Sequence, residues 1–145
     1  MDLSFAARRP WVPTRRSLRT WALAALDPAA RSWVLSVRIV GSAASRSLNA
    51  RYRRNNKPTN VLSFEGSGAA PDGRNFLGEL VICAPVVTAE AAQQGKPLRA
   101  HWAHMMVHGI LHLRGFDHEV AAEAVKMESA EVQILDRLGF SDPYR

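Results

Sequence analysis

Apolar residues recur along the chain at two different spacings, and the changes between them predict the order of its elements. Residues 14–26 and 98–114 place apolar side chains three and four positions apart, as one face of a helix requires. Residues 33–40 instead alternate apolar and polar side chains, which is typical of a strand. The pattern predicts strands at 33–40, 60–64 and 76–84 and helices at 14–26, 42–52, 85–94 and 98–114, with a last amphipathic helix after residue 118.

The segments between these elements suggest how they join. Residues 65–75 hold three glycines and one proline, so we expect a loop there, with the strands on either side paired antiparallel. Ser42 is the expected cap of the helix at 42–52. The last helix is expected to bury five apolar side chains, which are Val120, Ala124, Met127, Ile134 and Leu138. These elements predict an α+β fold with a small mixed β-sheet covered by helices, in one domain over residues 1–145.

The helix at 98–114 and the turn after it carry all five histidines of the chain. His108 and His112 are four residues apart, so they share one face of the helix and can reach a single metal ion. Gly115 can adopt the left-handed conformation that ends a helix, which turns the chain back and brings His118 to the same ion. Three histidine ligands leave a fourth tetrahedral position for water, as in catalytic zinc sites. The sequence therefore predicts one Zn²⁺ ion bound by His108, His112 and His118.

The spacing equals that of H-E-x-x-H-x-x-G-x-x-H, a zincin signature of metalloproteases, except at one position. Those proteases carry there the glutamate that acts as general base, whereas this chain has Gly109, which cannot accept a proton. His101 and His104 fall on the same helical stripe, so His104 and His108 form an alternative ligand pair. We favour His108 and His112, because only that pair is followed by the glycine turn and a third histidine. His101 and His104 are then expected to support the site or to pack.

Positive charge is concentrated in the first part of the chain. Residues 1–60 carry a net charge of +10 and residues 61–145 a net charge of −4. This asymmetry suggests a polyanionic partner for the first part of the chain, and nucleic acid is the leading candidate. Four cations lie just before the strand at 60–64, where they could contact phosphate oxygens, namely Arg51, Arg53, Arg54 and Lys57. Tyr52 adds a ring on which a base could stack. A solvated basic loop with a core tyrosine is the alternative interpretation.

Other features bear on the compartment. The one cysteine, Cys83, lies in an apolar run, so it is expected to be a buried thiol, and a chain with one cysteine has no internal disulfide framework. No stretch has the apolar core of an export signal or the roughly 20 apolar residues of a membrane span. We therefore expect a cytoplasmic protein without a membrane partner.

Three stretches of the chain resemble the YbeY family of zinc-dependent bacterial endoribonucleases, also called ribosomal RNA maturation factors. They are residues 53–64, the segment from Gly78 to Ile82, and above all His108 to His118, which fits H-G-x-L-H-L-x-G-[YF]-D-H. The resemblance runs from about residue 33 to Tyr144. It implies that His108, His112 and His118 bind the zinc ion and that Arg53 acts on the phosphate. The family often has glycine at the next position, where this chain has Arg54.

The resemblance implies a single-strand-specific endoribonuclease that acts in ribosomal RNA maturation and ribosome quality control, with ribosomal RNA, the ribosome or ribosomal proteins as partners. Zinc on neutral histidines would lower the pKa of bound water and polarise a phosphoryl oxygen, while Arg53 offsets the developing charge. Whether that water or the ribose 2′-OH attacks stays open, as do the oligomeric state and the role of Asp117, which could orient a ligand or form a turn. The rival interpretations are a metalloprotease-like hydrolase and a non-catalytic zinc-containing ribosome assembly factor.

Overall fold

The computed structural model describes residues 11–28, 33–66, 73–117 and 119–145, together with the backbone of residues 2–5. Its elements follow in the order β1 (Asp2–Phe5), α1 (Arg15–Ala25), β2 (Val34–Val40), α2 (Ser42–Arg53), β3 (Val61–Glu65), β4 (Phe76–Cys83), α3 (Ala84–Gln94), α4 (Leu98–Leu113) and α5 (Ala121–Arg137). The periodic pattern predicted the five helices and the last three strands, whereas β1 was not predicted. No helix in the described parts of the chain is both long and apolar enough to cross a membrane.

The four strands form one mixed sheet in the order β1-β2-β4-β3. β1, β2 and β4 run parallel, and β3 pairs with β4 antiparallel, with Val61 opposite Ile82 and Ser63 opposite Leu80. The predicted antiparallel pair is therefore confirmed, and the fold is the expected α+β arrangement. β3 lies at one edge of the sheet, so one of its sides faces away from the other strands.

The two faces of the sheet carry cores of different size, because neighbouring side chains of a strand point to opposite faces. Leu35, Val37 and Ile39 of β2 belong to the larger core, together with buried side chains of α1, α4 and α5. The smaller core lies on the other face and contains Val81 and Cys83 of β4. Leu48 of α2 packs against this second cluster. Cys83 is a buried free thiol, as the sequence predicted.

α4 is buried on almost every side, as is typical of a helix that is apolar all round. It lies close to the sheet at Gly109, where a Cβ atom would lie 2.8 Å from Leu80 Cδ2 and 3.2 Å from Val61 Cγ2. Ser63 Oγ also donates a hydrogen bond to the Gly109 carbonyl oxygen at 3.0 Å. A side chain here would press on Leu80, so the packing favours glycine at the position where the protease signature has glutamate.

α4 ends in the turn that the sequence predicted. Gly115 has φ +95°, its N–H donates to the His112 carbonyl at 3.0 Å, and the Phe116 N–H donates to the Leu111 carbonyl at 3.0 Å. This pair of bonds is the Schellman arrangement, which satisfies carbonyl groups at a helix end. The turn at Gly115 ends α4 and lies three residues before residue 118, which itself lies outside the described residues.

Two local predictions are wrong. Ser42 is already the first residue of α2, and Gly41 occupies the cap position without a side-chain hydrogen bond. Val120 is 62% exposed, because it is the extended residue that precedes α5 and does not share the buried stripe of that helix. The stripe instead includes Glu131, a buried carboxylate.

Candidate active site and metal centre

Two buried polar side chains of α2 fix the loop that leads to β3. Asn49 Nδ2 donates to the Lys57 carbonyl at 2.8 Å. Ser45 Oγ donates to the Thr59 carbonyl at 3.0 Å and accepts the Thr59 N–H at 2.9 Å. Backbone groups in a loop lack the hydrogen bonds of a helix or sheet, and these side chains supply partners for three of them. The loop is therefore held in one conformation next to Arg53, the last residue of α2.

A cavity of about 500 Å³ lies between this loop, β3 and α4. Its wall includes Arg53 and Lys57 on one part and His108 and His112 on another. We call this space the basic cavity. The structure thus brings Arg53 to the same cavity as two of the three predicted zinc ligands, although these residues lie on separate elements.

His108 and His112 lie on successive turns of α4. Their ring centroids are 4.7 Å apart, with the ring planes at 80°. Both side chains are only partly buried, unlike most of α4. Two imidazoles at this separation suit a shared metal ion. His118 lies outside the described residues, so the third ligand stays a prediction.

The other cations of this region differ in position. Arg51 and Arg54 are exposed and are not part of the wall of the basic cavity, whereas Lys57 is. Tyr52 is 55% exposed and touches Phe64 edge-on, with ring centroids 5.1 Å apart, so it is not a core tyrosine. The Arg51 guanidinium lies 5.6 Å from the centre of the Tyr52 ring. Tyr52 therefore keeps an accessible ring.

Arg54 is the C-cap of α2 and has φ +55°, the left-handed conformation. It is the one non-glycine residue with positive φ among the residues that the structure describes. Left-handed backbone costs an L-residue roughly 1–2 kcal/mol and costs glycine little. Glycine would therefore be less strained than arginine at this position.

On its other side, His108 contacts a buried carboxylate of α5. His108 Nδ1 lies 3.1 Å from Glu131 Oε1. His104 Nε2 bonds to Glu131 Oε2, and the Tyr144 hydroxyl donates to the same oxygen at 2.8 Å. Glu131 is 1% exposed. We call these four residues the carboxylate cluster.

The charges within the carboxylate cluster follow from its hydrogen bonds. Burial by itself raises the pKa of Glu131, but hydrogen bonds from His104 and His108 outweigh it and lower that pKa to about 2. Burial lowers the pKa of His104, although Glu131 opposes the shift. Burial and the Glu131 charge both raise the pKa of Tyr144. At neutral pH an ionised carboxylate therefore accepts bonds from a neutral imidazole and a neutral phenol.

Comparison with known families identifies the chain. The family model for endoribonuclease YbeY matches residues 12–139, which is most of the chain. The chain belongs to the YbeY endoribonuclease family. It is therefore an endoribonuclease of ribosomal RNA processing, a hydrolase whose substrate is RNA. The solution structure of TM1509 from Thermotoga maritima is also similar, with a TM-score of 0.50 and 21% identity over 90% of this chain and 88% of that chain, which supports the fold alone.

YbeY proteins are metal-dependent, and the described residues offer two groups of donors that fit a metal ion. One group is His108 and His112 at the basic cavity. The other is His104, His108 and Glu131, whose candidate ligand atoms all lie within 4.8 Å of one another. Imidazole and carboxylate donors suit zinc in either case. His108 is common to both groups.

His101 has a partner outside both groups. Its Nε2 atom lies 2.9 Å from Glu90 Oε1, and Asn60 Nδ2 donates to the same carboxylate at 3.1 Å. Asn60 Oδ1 in turn accepts the Val61 N–H at 2.7 Å. These bonds connect α4 through α3 to the start of β3. His101 is therefore bonded to Glu90 of α3 and not to a member of either donor group.

The sequence did not identify Glu131 or Tyr144. A signal for Glu131 was present, because it lies four residues after Met127 and three before Ile134, both on the buried stripe of α5. A carboxylate in such a stripe is rarely buried without partners. Tyr144 follows the last helix and has no comparable periodic signal. Asp117 Oδ1 accepts the Glu119 N–H at 3.2 Å, as a turn aspartate does.

Proposed function

We propose that this chain is a single-strand-specific, zinc-dependent endoribonuclease that acts in ribosomal RNA maturation and ribosome quality control. It would work in the cytoplasm as a single domain over residues 1–145. The main supporting observation is that Arg53, His108 and His112 border one basic cavity. His108, His112 and His118 would hold one Zn²⁺ ion per chain.

The carboxylate cluster is a weaker candidate for direct ligands. Both Glu131 oxygens already accept hydrogen bonds, so an ion among these groups would have to displace buried bonds. Glu131 and His104 are also not part of the wall that contains Arg53. An ion on the His108 and His112 side would instead share a cavity with the arginine.

Each residue has a separate task in this scheme. A zinc ion held by these histidines would supply Lewis acidity toward a phosphoryl oxygen and would lower the pKa of water. Arg53 binds the non-bridging oxygens of the scissile phosphate, where its planar fork offsets the charge that builds in the transition state. Lys57, Arg51 and Arg54 neutralise neighbouring phosphates of the strand.

No side-chain base is assigned. The described wall of the basic cavity contains no carboxylate, and Gly109 has no side chain. Water and the ribose 2′-OH both remain as candidate nucleophiles. A substrate with a single 2′-deoxy substitution at the cleavage site distinguishes them. It lacks the 2′-OH, so it is cleaved only if water is the nucleophile.

The proposal is tested by metal analysis of single alanine variants. We expect about one zinc ion per parental chain and loss of zinc in His112→Ala and His118→Ala. In cleavage assays, the zinc-loaded parent should cut single-stranded ribosomal RNA but neither duplex DNA nor casein, and His112→Ala should be inactive. Unchanged zinc in His118→Ala together with loss in His104→Ala would show that the ligand set is wrong.

The same assays separate the rival functions. Cleavage of casein would favour a metalloprotease-like hydrolase. RNA cleavage that persists after complete removal of metal, with the fold intact by circular dichroism, would contradict zinc dependence. A protein that unfolds without zinc and never cuts RNA would favour a non-catalytic assembly factor.

A further inference from the structure

Three hydrogen-bonding groups converge on the buried carboxylate of Glu131. One oxygen, Oε1, faces His108 Nδ1 at 3.1 Å. The other, Oε2, is shared by His104 Nε2 and the Tyr144 hydroxyl. Since both oxygens are occupied from different directions, rotation of the carboxylate would break at least one of these bonds. Glu131 therefore presents a fixed acceptor to His108.

A fixed acceptor selects one tautomer of His108. A carboxylate accepts hydrogen bonds, so the nitrogen that faces it, Nδ1, must carry the proton. In a neutral imidazole the lone pair then lies on Nε2, at the far side of the ring. A metal ion needs that lone pair, and the ring borders the basic cavity with His112. The bond to Glu131 thus prepares the nitrogen that the proposed zinc site requires.

Tyr144 completes this arrangement from a separate part of the chain. Its ring packs edge-on against His104, with centroids 5.4 Å apart. The segment around it is held by a bond from Lys96 Nζ to the Pro143 carbonyl and by the Tyr144 N–H, which donates to Asp142 Oδ1 at 2.8 Å. The phenol therefore reaches Glu131 from a fixed position.

We propose that Glu131, held in place by Tyr144, is a positioning residue that fixes the Nδ1–H tautomer and the ring orientation of His108 and so raises the zinc affinity of the site. This inference rests on the proposed function, because it takes His108 as a ligand through Nε2. Partners of this kind change metal affinity by roughly 10–100-fold when they are replaced.

The test compares Glu131→Gln, Tyr144→Phe and Glu128→Gln. Glutamine keeps the size of Glu131 but has one acceptor oxygen and an NH₂ group that meets the N–H donors. We expect zinc affinity, measured by competition with a chromophoric chelator, to fall roughly 10–100-fold in Glu131→Gln and by a smaller factor in Tyr144→Phe. Glu128 borders the same small cavity as His108 and Tyr144, so Glu128→Gln is the matched control and should bind zinc as the parent does.

A second measurement reports on His108 directly. Nitrogen-15 spectra of the imidazoles in metal-free protein should show the Nδ1–H tautomer of His108 in the parent and in Glu128→Gln. In Glu131→Gln that tautomer should lose its dominance. A purely structural role for Glu131 would lower stability without changing which nitrogen carries the proton.

The outcomes separate this inference from the proposed function. Parental zinc affinity and an unchanged His108 tautomer in folded Glu131→Gln would overturn the inference alone, provided that His112→Ala loses zinc. If Glu131→Gln does not fold, Tyr144→Phe decides by the same two measurements. Zinc retained in His112→Ala but lost in Glu131→Gln and His104→Ala would make Glu131 a direct ligand and overturn both.

Discussion

His108 separates two regions of opposite character. The basic cavity on one side has an exposed arginine and a volume of about 500 Å³. The carboxylate cluster on the other side is centred on Glu131, which is 1% exposed and bonded through both oxygens. Solvated groups can exchange water for substrate, whereas a buried bond is broken only at the cost of an unpaired polar group. Substitutions at the cavity should therefore change the reaction, and those at the cluster should change geometry and stability.

Arg53 gives the largest expected effect on the cavity side. Arg53→Ala and Arg53→Lys should keep the fold and the bound zinc and bind RNA within a few-fold of the parent. Single-turnover cleavage should fall by about 10²-fold or more, the scale of removing one oxyanion donor. Lysine should not rescue the rate, because a point charge lacks the fork of the guanidinium.

Arg54→Ala is the matched control for this prediction, since Arg54 is the adjacent cation outside the cavity wall. It should cleave at close to the parental rate under saturating RNA. If the defect of Arg53→Ala disappears when the RNA concentration is raised, Arg53 is a binding residue and not a catalytic one.

Gly109→Ala tests the packing of α4 against the sheet. The added methyl group would lie 2.8 Å from Leu80 Cδ2, so the fully buried Leu80 side chain must shift. We expect a loss of about 1–3 kcal/mol in the free energy of unfolding, measured by urea denaturation, as is typical of overpacking. Gly41→Ala, where a Cβ atom would meet nothing within 4 Å, should cost clearly less. Equal midpoints for Gly109→Ala and the parent would contradict the close approach.

Removal of three cations should change binding more than chemistry. Replacing Arg51, Arg54 and Lys57 by glutamine should weaken binding to all single-stranded sequences alike. The slope of log K against log salt should decrease in magnitude by roughly 0.7 for each phosphate that is no longer neutralised. The same replacement at Arg16 and Arg19, exposed on α1, should leave the slope unchanged. An unaltered slope in the triple variant would place the RNA on another surface.

Arg54→Gly gives the smallest expected effect, and it is stabilising. Glycine adopts the left-handed conformation of this position without a steric penalty, so the free energy of unfolding should rise by up to about 1 kcal/mol. Arg51→Gly, inside α2, should lower it by about 1 kcal/mol. Thermal unfolding of both variants checks the opposite signs. If Arg54→Gly is less stable than the parent, the contacts of the Arg54 side chain stabilise the fold by more than its left-handed backbone destabilises it.

Local spacing predicted the parts of the molecule that depend on local geometry. His108 and His112 lie on one side of α4 because four residues make about one helical turn. Gly115 ends that helix because it alone can adopt the required backbone conformation at little cost. β1 was not predicted, because a strand of four residues gives too short a periodic signal. Its position depends on pairing with β2, which is distant in the sequence.

Contacts between distant parts of the chain could not be predicted from spacing. His108 and Glu131 are 23 residues apart, and His104 and Tyr144 are 40 apart. The number of charged residues in the sequence also does not show which of them form ion pairs within the protein. Arg38 Nη2 lies 3.3 Å from Glu79 Oε1, so at least one cation of the basic half has an internal acidic partner. The sequence therefore indicated the class of the binding partner better than it indicated which surface of the protein binds it.

The close approach of α4 to the sheet restricts how the site can evolve. Any residue that replaces Gly109 adds a Cβ atom 2.8 Å from Leu80 Cδ2, so a carboxylate there requires the buried Leu80 side chain to move. Trimming Leu80 first would open a cavity in a fully buried position, at a cost of about 2–5 kcal/mol. Either order of mutation passes through a destabilised intermediate. The identities of residues 80 and 109 are thus coupled through packing.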